Sequence, residues 1–351
     1  MKALRLHGVR EAVVEEIAEP AVRPGTVKIK VEHAGICGTD LGLFEQFMFP
    51  NEFVHPLFGC PGPHVLGHEF GGRVVELGEG VDGPAVGTLV AVRANRWCGE
   101  CEACQAGAGN RCVAWGFTGI NGGGGGFSSH VVLNADQVFA FPEELGSQIA
   151  AMVESTAVAW HATKRVGDVA GKNALVIGAG PVGLAVVMAL KARGAETIVV
   201  SEPGEARRAL AQELGATAVD PRETDPVALM KELTAGTGAD VSFDASGVGR
   251  ITFDTAVNGL RTGGTAVYVA VAHGEFPVDV NAFVMTEKSF TGSFGYTDED
   301  YAETIDAMRA GTIDPRPLIS SVIELDDIVE DGIKHLLGEG RNTEMKMLVA
   351  P

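Results

Sequence analysis

Residues 174–202 read ALVIGAGPVGLAVVMALKARGAETIVVSE. A short apolar run, 174–177, ends at Gly178-Ala179-Gly180-Pro181-Val182-Gly183. Residues 181–193 then follow a helical pattern, with proline in the first turn and Gly194 past the end. A second apolar run, 197–200, closes on Ser201 and Glu202. Strand, glycine turn, helix and strand make a βαβ unit, the building block of a parallel sheet. In G-x-G-x-x-G the first glycine, Gly178, permits the turn. Gly180 lets a pyrophosphate approach the backbone, and Gly183 lets the helix pack on the strand. Pro181 and Val182 open the helix whose free N–H groups face the phosphates. Glu202, about 20 residues on, is placed to hold the adenosine ribose hydroxyls. Its carboxylate favours NAD over NADP, because it would repel a 2′-phosphate. Arg207 is read as flanking that ribose, and Arg208 as a solvated helix face.

Outward from this unit the rhythm continues, with a helical stretch at 205–214 and strands at 241–243 and 265–271. Residues 1 to about 155 are different. Short runs at 27–32, 72–77, 88–92 and 130–133 are broken by glycine and proline, and no long helical period appears before about residue 150. Two acidic helices are expected at 299–309 and 326–337, and a closing strand at 345–349. The Gly122–Gly126 run reads as a flexible loop. The fold class is therefore α/β, a β-rich domain beside a doubly wound parallel sheet.

The 351 residues are enough for two domains, and the formal net charge of −19 argues against nucleic-acid and anionic-membrane partners. The first residues are charged throughout and do not form a signal peptide. Residues 173–190 lack charge but contain Gly178, Gly180, Pro181 and Gly183, so they read as strand, turn and helix and not as a membrane span. A cytoplasmic location is expected.

Cys98, Cys101, Cys104 and Cys112 form C-x₂-C-x₂-C-x₇-C. Four thiolates this close close a tetrahedral shell around zinc with no open position, which makes the site structural. Two disulfides are the competing reading; a chain of this size in a reducing compartment does not need them. A second set of candidates is dispersed. Cys37 stands in Gly-Ile-Cys-Gly-Thr-Asp, His68 and Glu69 in Gly-His-Glu-Phe, and Glu154 in Met-Val-Glu-Ser. Taken singly these residues are as well explained by packing. Together they offer soft, borderline and hard ligands, a mixture zinc accepts. Cys60 has no assigned role.

With these motifs in this order, the chain resembles the zinc-dependent medium-chain alcohol and polyol dehydrogenases over essentially its full length. Glu69 directly after His68, Glu154 where classical alcohol dehydrogenases place a cysteine, and the segment His55-Pro56-Leu57-Phe58-Gly59 make it most similar to the sorbitol and butanediol dehydrogenase branch. Ser155 departs from that branch's proline, and Thr39 replaces its common serine. The resemblance implies a GroES-like catalytic domain over 1–155, to which 293–351 return, and a Rossmann domain over 156–292. It implies two zinc ions per subunit, one of them in a cleft between the domains, and a homo-oligomer, tetramer over dimer. Cys37, His68 and Glu154 would bind the catalytic zinc, with Glu69 a direct or exchanging fourth ligand. Thr39 would relay the alcohol proton. His55 and His64 are positional candidates for the terminal base, with exposed loop histidine as the other reading. Tyr296 would lie near cofactor and substrate, and Trp115 and Phe117 either shape the pocket or belong to the core. The implied reaction is hydride transfer between a secondary alcohol or diol and NAD. A zinc-free quinone or enone reductase and a non-catalytic NAD-binding protein are the alternatives.

Overall fold

A computed structural model describes residues 1–271 and 274–351. The chain forms two compact units. One comprises Met1–Glu154, Tyr296–Arg309 and Ile319–Pro351; the other comprises Ser155–Gly295 and Ala310–Leu318.

In the first unit the strand Thr26–Gly35 is the hub. Val27, Ile29 and Val31 are buried at alternate positions, the period of a strand with one face on a core. It pairs antiparallel with Glu69–Leu77, His130–Asn134 and Lys346–Ala350. Leu89–Val92 and Val138–Ala140 extend the sheet beyond Glu69–Leu77, and Ile319–Glu324 extends it beyond Lys346–Ala350. Close strand packing selects glycine at Gly72, where a Cβ would lie 2.0 Å from the Lys30 carbonyl oxygen. Leu4, Phe44, Phe70, Phe127, Val131, Ile328, Met347 and Val349 join the hub's apolar residues in one core cluster.

In the second unit six parallel strands run in the order Thr217–Val219, Thr197–Ser201, Asn173–Ile177, Ala239–Asp244, Leu260–Tyr268, Ser289–Gly292. Numbered along the chain this is 3-2-1-4-5-6, the doubly wound order whose direction reverses beside the first strand. The strand Asn173–Ile177 is buried almost throughout, and the helix Pro181–Ala192 buries eight consecutive residues from Gly183 to Leu190. That explains the unbroken apolar reading of this region, and no helix among the described residues is long and apolar enough to cross a membrane.

Four local readings change. The helix Gly38–Gln46 was not foreseen; it is nine residues long, contains two glycines and buries only Asp40, Leu43 and Phe44, so its period is faint. The helix expected at 326–337 is a 3₁₀ turn, Leu325–Asp327, then a π-helix, Ile328–Lys334, then one α turn. Ile328 and Ile333 are both fully buried, and a spacing of five is brought to one face by the wider repeat. The strand expected to reach residue 271 ends at Tyr268. The glycine run is an irregular segment, as expected, but most of it is packed. Gly122, Gly125 and Gly126 are buried, and Cβ atoms there would strike Phe58, the Leu66 carbonyl and Phe70.

Gly183 and Gly180 separate packing from ligand access. A Cβ on Gly183 would lie 2.0 Å from the Gly178 carbonyl oxygen, whereas one on Gly180 meets nothing within 4 Å. Gly183→Ala should lower stability by about 1–3 kcal/mol in thermal or urea unfolding. Gly180→Ala should stay within about 0.5 kcal/mol of wild type.

Candidate active site and metal centres

Cys37 is the N-cap of the helix Gly38–Gln46, and its backbone N–H donates to Asp40 Oδ2 at 2.9 Å. Asp40 is fully buried, and its other oxygen lies 3.6 Å from His68 Nδ1. Among the described residues neither of these two atoms has a hydrogen-bond partner. A carboxylate behind one ring nitrogen is the arrangement that orients a metal-binding imidazole and leaves Nε2 for the ion. Burial pulls the His68 pKa down, but Asp40 and Cys37 outweigh it, and the ring's pKa stands well above the ordinary value.

Glu69 is placed by strand register. Gly35 is paired with Glu69 on one side and with Leu348 on the other. The side chains of Glu69 and Lys346 meet there, with Lys346 Nζ donating to Glu69 Oε1 at 2.8 Å and Oε2 at 2.6 Å. Both side chains are at most 2% exposed. Nζ also donates to the Ile36 carbonyl at 3.2 Å. Burial pushes the Glu69 carboxyl up, but Lys346 and His68 more than offset it, so it stays below the usual range. A Cβ on Gly35 would lie 2.5 Å from Glu69 Oε2 and 3.3 Å from Lys346 Cδ. Glycine at this position therefore makes room for the pair.

Donor atoms of Cys37, His68 and Glu69 lie within 4.8 Å of one another, a spacing that fits one metal ion. Glu154 stands outside that trio. It is buried beside His68 and Glu69, and it faces Tyr296. Burial is the main reason its pKa rises to about 7, a shift a nearby cation would reverse. Tyr296 is itself wholly buried, and its carbonyl accepts a hydrogen bond from Asn95 Nδ2 at 3.1 Å. Thr39 is exposed, with its hydroxyl 3.8 Å from Cys37 Sγ.

The cysteine quartet also converges. Sγ–Sγ separations are 3.4 Å for Cys98–Cys112, 3.5 Å for Cys101–Cys104 and 3.9 Å for Cys98–Cys104. Four sulfurs each about 2.3 Å from zinc would lie about 3.8 Å apart, whereas a disulfide needs about 2.05 Å. All six cysteines are free. Backbone N–H groups of Cys98 and Ala114 point at Cys112 Sγ, both at 3.3 Å. Backbone amides of Cys104 and Val113 lower Cys101 to about 6, while burial raises its neighbour Cys104 to about 12, so the lowered thiol is not shared by the whole quartet. Donors aimed at sulfur fit thiolates better than thiols.

In the second unit Gly178, with φ of +89°, ends the strand Asn173–Ile177 at the switch point. Gly180 caps the helix Pro181–Ala192, Pro181 and Val182 begin it, and the space over Gly180 is open. These features fit a pyrophosphate at the helix N-terminus. Glu202 is buried, with one oxygen accepting from the Ala179 N–H and the other from the Gly204 N–H, both at 2.7 Å. Arg207 packs over the same turn, its Cδ 3.6 Å from where a Gly204 Cβ would stand.

Three expectations are corrected. His55 and His64 are not exposed loop histidines; both are buried. His55 Nδ1 accepts from the Leu57 N–H at 3.2 Å, so Nε2, 2.9 Å from the Trp115 carbonyl, carries the proton and no free lone pair remains. Burial lowers the His64 pKa. Arg208 is not a solvated face, because its guanidinium reaches Asp220 and two backbone carbonyls. Of the aromatic candidates, Phe117 is buried and Trp115 is partly exposed, packed edge-on at 5.9 Å. Cys60 is exposed. Sequence reading missed Asp40 and Lys346 as parts of the site. The spacing of Cys37 and Asp40 at N-cap and N3 was a usable signal for the first. Nothing local marks Lys346.

Residues 23–143 match the alcohol dehydrogenase GroES-like domain family, and residues 181–310 match the zinc-binding dehydrogenase family. The (R,R)-butanediol dehydrogenase of Bacillus subtilis (strain 168) is 37% identical over 353 residues, covering 100% of both chains. The crystal structure of 2R,3R-butanediol dehydrogenase from Bacillus subtilis superposes with a TM-score of 0.93 at 38% identity, covering 100% of this chain and 99% of that one. A zinc-binding dehydrogenase from Sinorhizobium meliloti 1021, solved bound to NADP, superposes with a TM-score of 0.89 at 32% identity, with coverage of 100% and 99%.

Lys346→Met should cost about 3 kcal/mol in unfolding experiments, because it strands a buried carboxylate. Gly35→Ala should destabilise in the same direction by parting the pair, and the double variant should cost less than the sum of the two. Cys101→Ser should lower the zinc content measured by atomic absorption and lower the melting temperature.

Proposed function

The chain belongs to the zinc-dependent medium-chain dehydrogenases, in the butanediol and sorbitol dehydrogenase branch, and from there we propose its substrate, cofactor and site roles. It is an alcohol or polyol dehydrogenase. Its substrate is a secondary alcohol or vicinal diol of the 2,3-butanediol/acetoin kind, and its hydride acceptor is NAD. The convergence of Cys37 with His68 and Glu69, from two separate stretches of the chain, carries this reading.

Cys37, His68 and Glu154 hold the catalytic zinc, with Glu69 as direct or exchanging fourth ligand, and the cysteine quartet holds a second. When bound, zinc supplies Lewis acidity that makes a nearby hydroxyl easier to deprotonate. Asp40 fixes the His68 ring and its tautomer. Lys346 neutralises Glu69, limiting negative charge around the ion. Thr39, exposed beside Cys37, accepts a hydrogen bond from the substrate hydroxyl and passes its proton outward. Threonine has no useful pKa, so it relays the proton without keeping it. His55 does not take part, since both its ring nitrogens are engaged. In the second unit Gly178, Gly180, Pro181, Val182 and Gly183 seat the pyrophosphate, and Glu202 with Arg207 recognises the adenosine ribose. NAD is favoured over NADP by the Glu202 carboxylate.

The protein acts as a homo-oligomer in the cytoplasm, a tetramer in preference to a dimer. Six free cysteines suit a reducing compartment. Among the described residues the strand Ser289–Gly292 is an edge of its sheet, paired only with Leu260–Tyr268, and Phe290, Val280, Val284 and Met285 of the second unit are all about half exposed or more. That exposure supports burial against a second copy.

Purified protein should contain two zinc ions per chain and produce NADH absorbance when given 2,3-butanediol. Cys37→Ala and His68→Ala should each lower kcat by about 10³-fold or more while leaving the melting temperature within a few degrees. Full turnover after complete metal removal, or in either variant, would show the zinc assignment to be wrong. Phe290→Asp should shift sedimentation toward smaller species.

A further inference from the structure

The turn that carries Glu202 is held from outside by charges that the reaction does not use. Asp220 follows the strand Thr217–Val219 and is nearly buried, 5% exposed at its side chain. Its carboxylate gathers two guanidinium groups. Arg222 Nε donates to Oδ1 at 2.8 Å, and Arg222 Nη2 pairs with Oδ2. Arg208 Nη1 lies 3.3 Å from Oδ2. Both arginines also reach the turn itself. The Pro203 carbonyl accepts from Arg208 at 2.6 Å and from Arg222 at 2.8 Å, and the Glu202 carbonyl accepts from Arg208 at 3.0 Å. The residue meant to meet the 2′-hydroxyl is therefore flanked by two cations, and both are tied to one acidic side chain.

We propose that Asp220 is a specificity-determining positioning residue: by engaging Arg208 and Arg222 it withholds them from a 2′-phosphate and leaves Glu202 to select NAD. This deepens the NAD reading above and rests on it. The chemistry is competition for the same donors. A 2′-phosphate is the kind of dianionic, bidentate acceptor that arginine prefers, and two arginines beside an adenosine ribose would ordinarily welcome NADP. Here the acceptor is supplied internally, at fixed distance, so an incoming phosphate has to displace a bound carboxylate. Arg222 is 68% exposed and has room to turn once released. Arg208, 20% exposed, is held at the turn by its two carbonyl contacts. The Arg222 guanidinium keeps the Asp220 carboxyl below the usual carboxylate range, so the clamp persists across neutral pH.

The test is fluorescence titration of NADH and NADPH binding to the zinc-loaded protein, read as the ratio of the two dissociation constants. Wild type should favour NADH. Asp220→Asn should reduce that preference by about tenfold, the size of one charge-assisted hydrogen bond regained. Arg222→Gln lies at an exposed position and leaves Asp220 with excess negative charge, so the preference should rise by about threefold. A folded Asp220→Asn protein whose ratio stays within about twofold of wild type would overturn the clamp. If that variant does not fold, Arg222→Gln decides the matter, and a ratio that fails to rise overturns it equally. A wild-type preference for NADPH would instead remove the NAD reading, and the clamp with it.

Discussion

The ion pair between Glu69 and Lys346 is the constraint on which the candidate active site depends. Two opposite charges out of water are stable only if each satisfies the other and its remaining hydrogen-bonding capacity is met. Here Lys346 contacts both oxygens of Glu69 and a backbone carbonyl. The pair exists because Thr26–Gly35 carries Glu69–Leu77 on one side and Lys346–Ala350 on the other, with Gly35 as the shared register point. Any side chain at Gly35 would occupy the volume of the pair. The same strand then runs directly into Ile36 and Cys37, so the position of Cys37 beside His68 follows from the same register. The C-terminal strand is therefore part of the site, 277 residues from the carboxylate it neutralises.

Charge is managed in the same way at several depths. Around the donor trio, Asp40 faces His68 and Lys346 faces Glu69, while Glu154 is left with burial as its dominant influence and a pKa raised to about 7. Such a group is at ease when a cation is near. At the other end of the chain's chemistry, Glu202 is steadied by two backbone N–H groups and its turn by two arginines. In both units a candidate site residue is fixed by a neighbour outside the set of candidate contacts, which is how a site holds its geometry to a fraction of an ångström.

The residues that were legible in advance share a property: their signal is local. Gly178, Gly180 and Gly183 announce a turn because one of them has positive φ, one faces open space and one lies against a carbonyl. Cys98, Cys101, Cys104 and Cys112 lie within fifteen residues of one another, and the loop that carries them brings their donor atoms within 4.8 Å. His55, His64 and Arg208 were misread because exposure is not local. His55 lies in a segment that looks like a surface loop, yet it is buried with its ring nitrogens bound to Leu57 and Trp115. The glycines at 122–126 looked mobile for want of side chains, whereas Phe58 and Phe70 fill the space those side chains would have taken.

By itself the sequence determined the βαβ unit and the β-rich domain, and it singled out the cysteine quartet and the scattered candidate donors. Those rest on spacing and residue chemistry, which survive without coordinates. Only the tertiary structure decided that Cys37, His68 and Glu69 converge while Glu154 stands beside them, that Asp40 and Lys346 belong to the site, and that Asp220 restrains the arginines near Glu202. Strand register and sheet order bring together residues tens to hundreds of positions apart, and no local pattern records which partner a buried charge will meet.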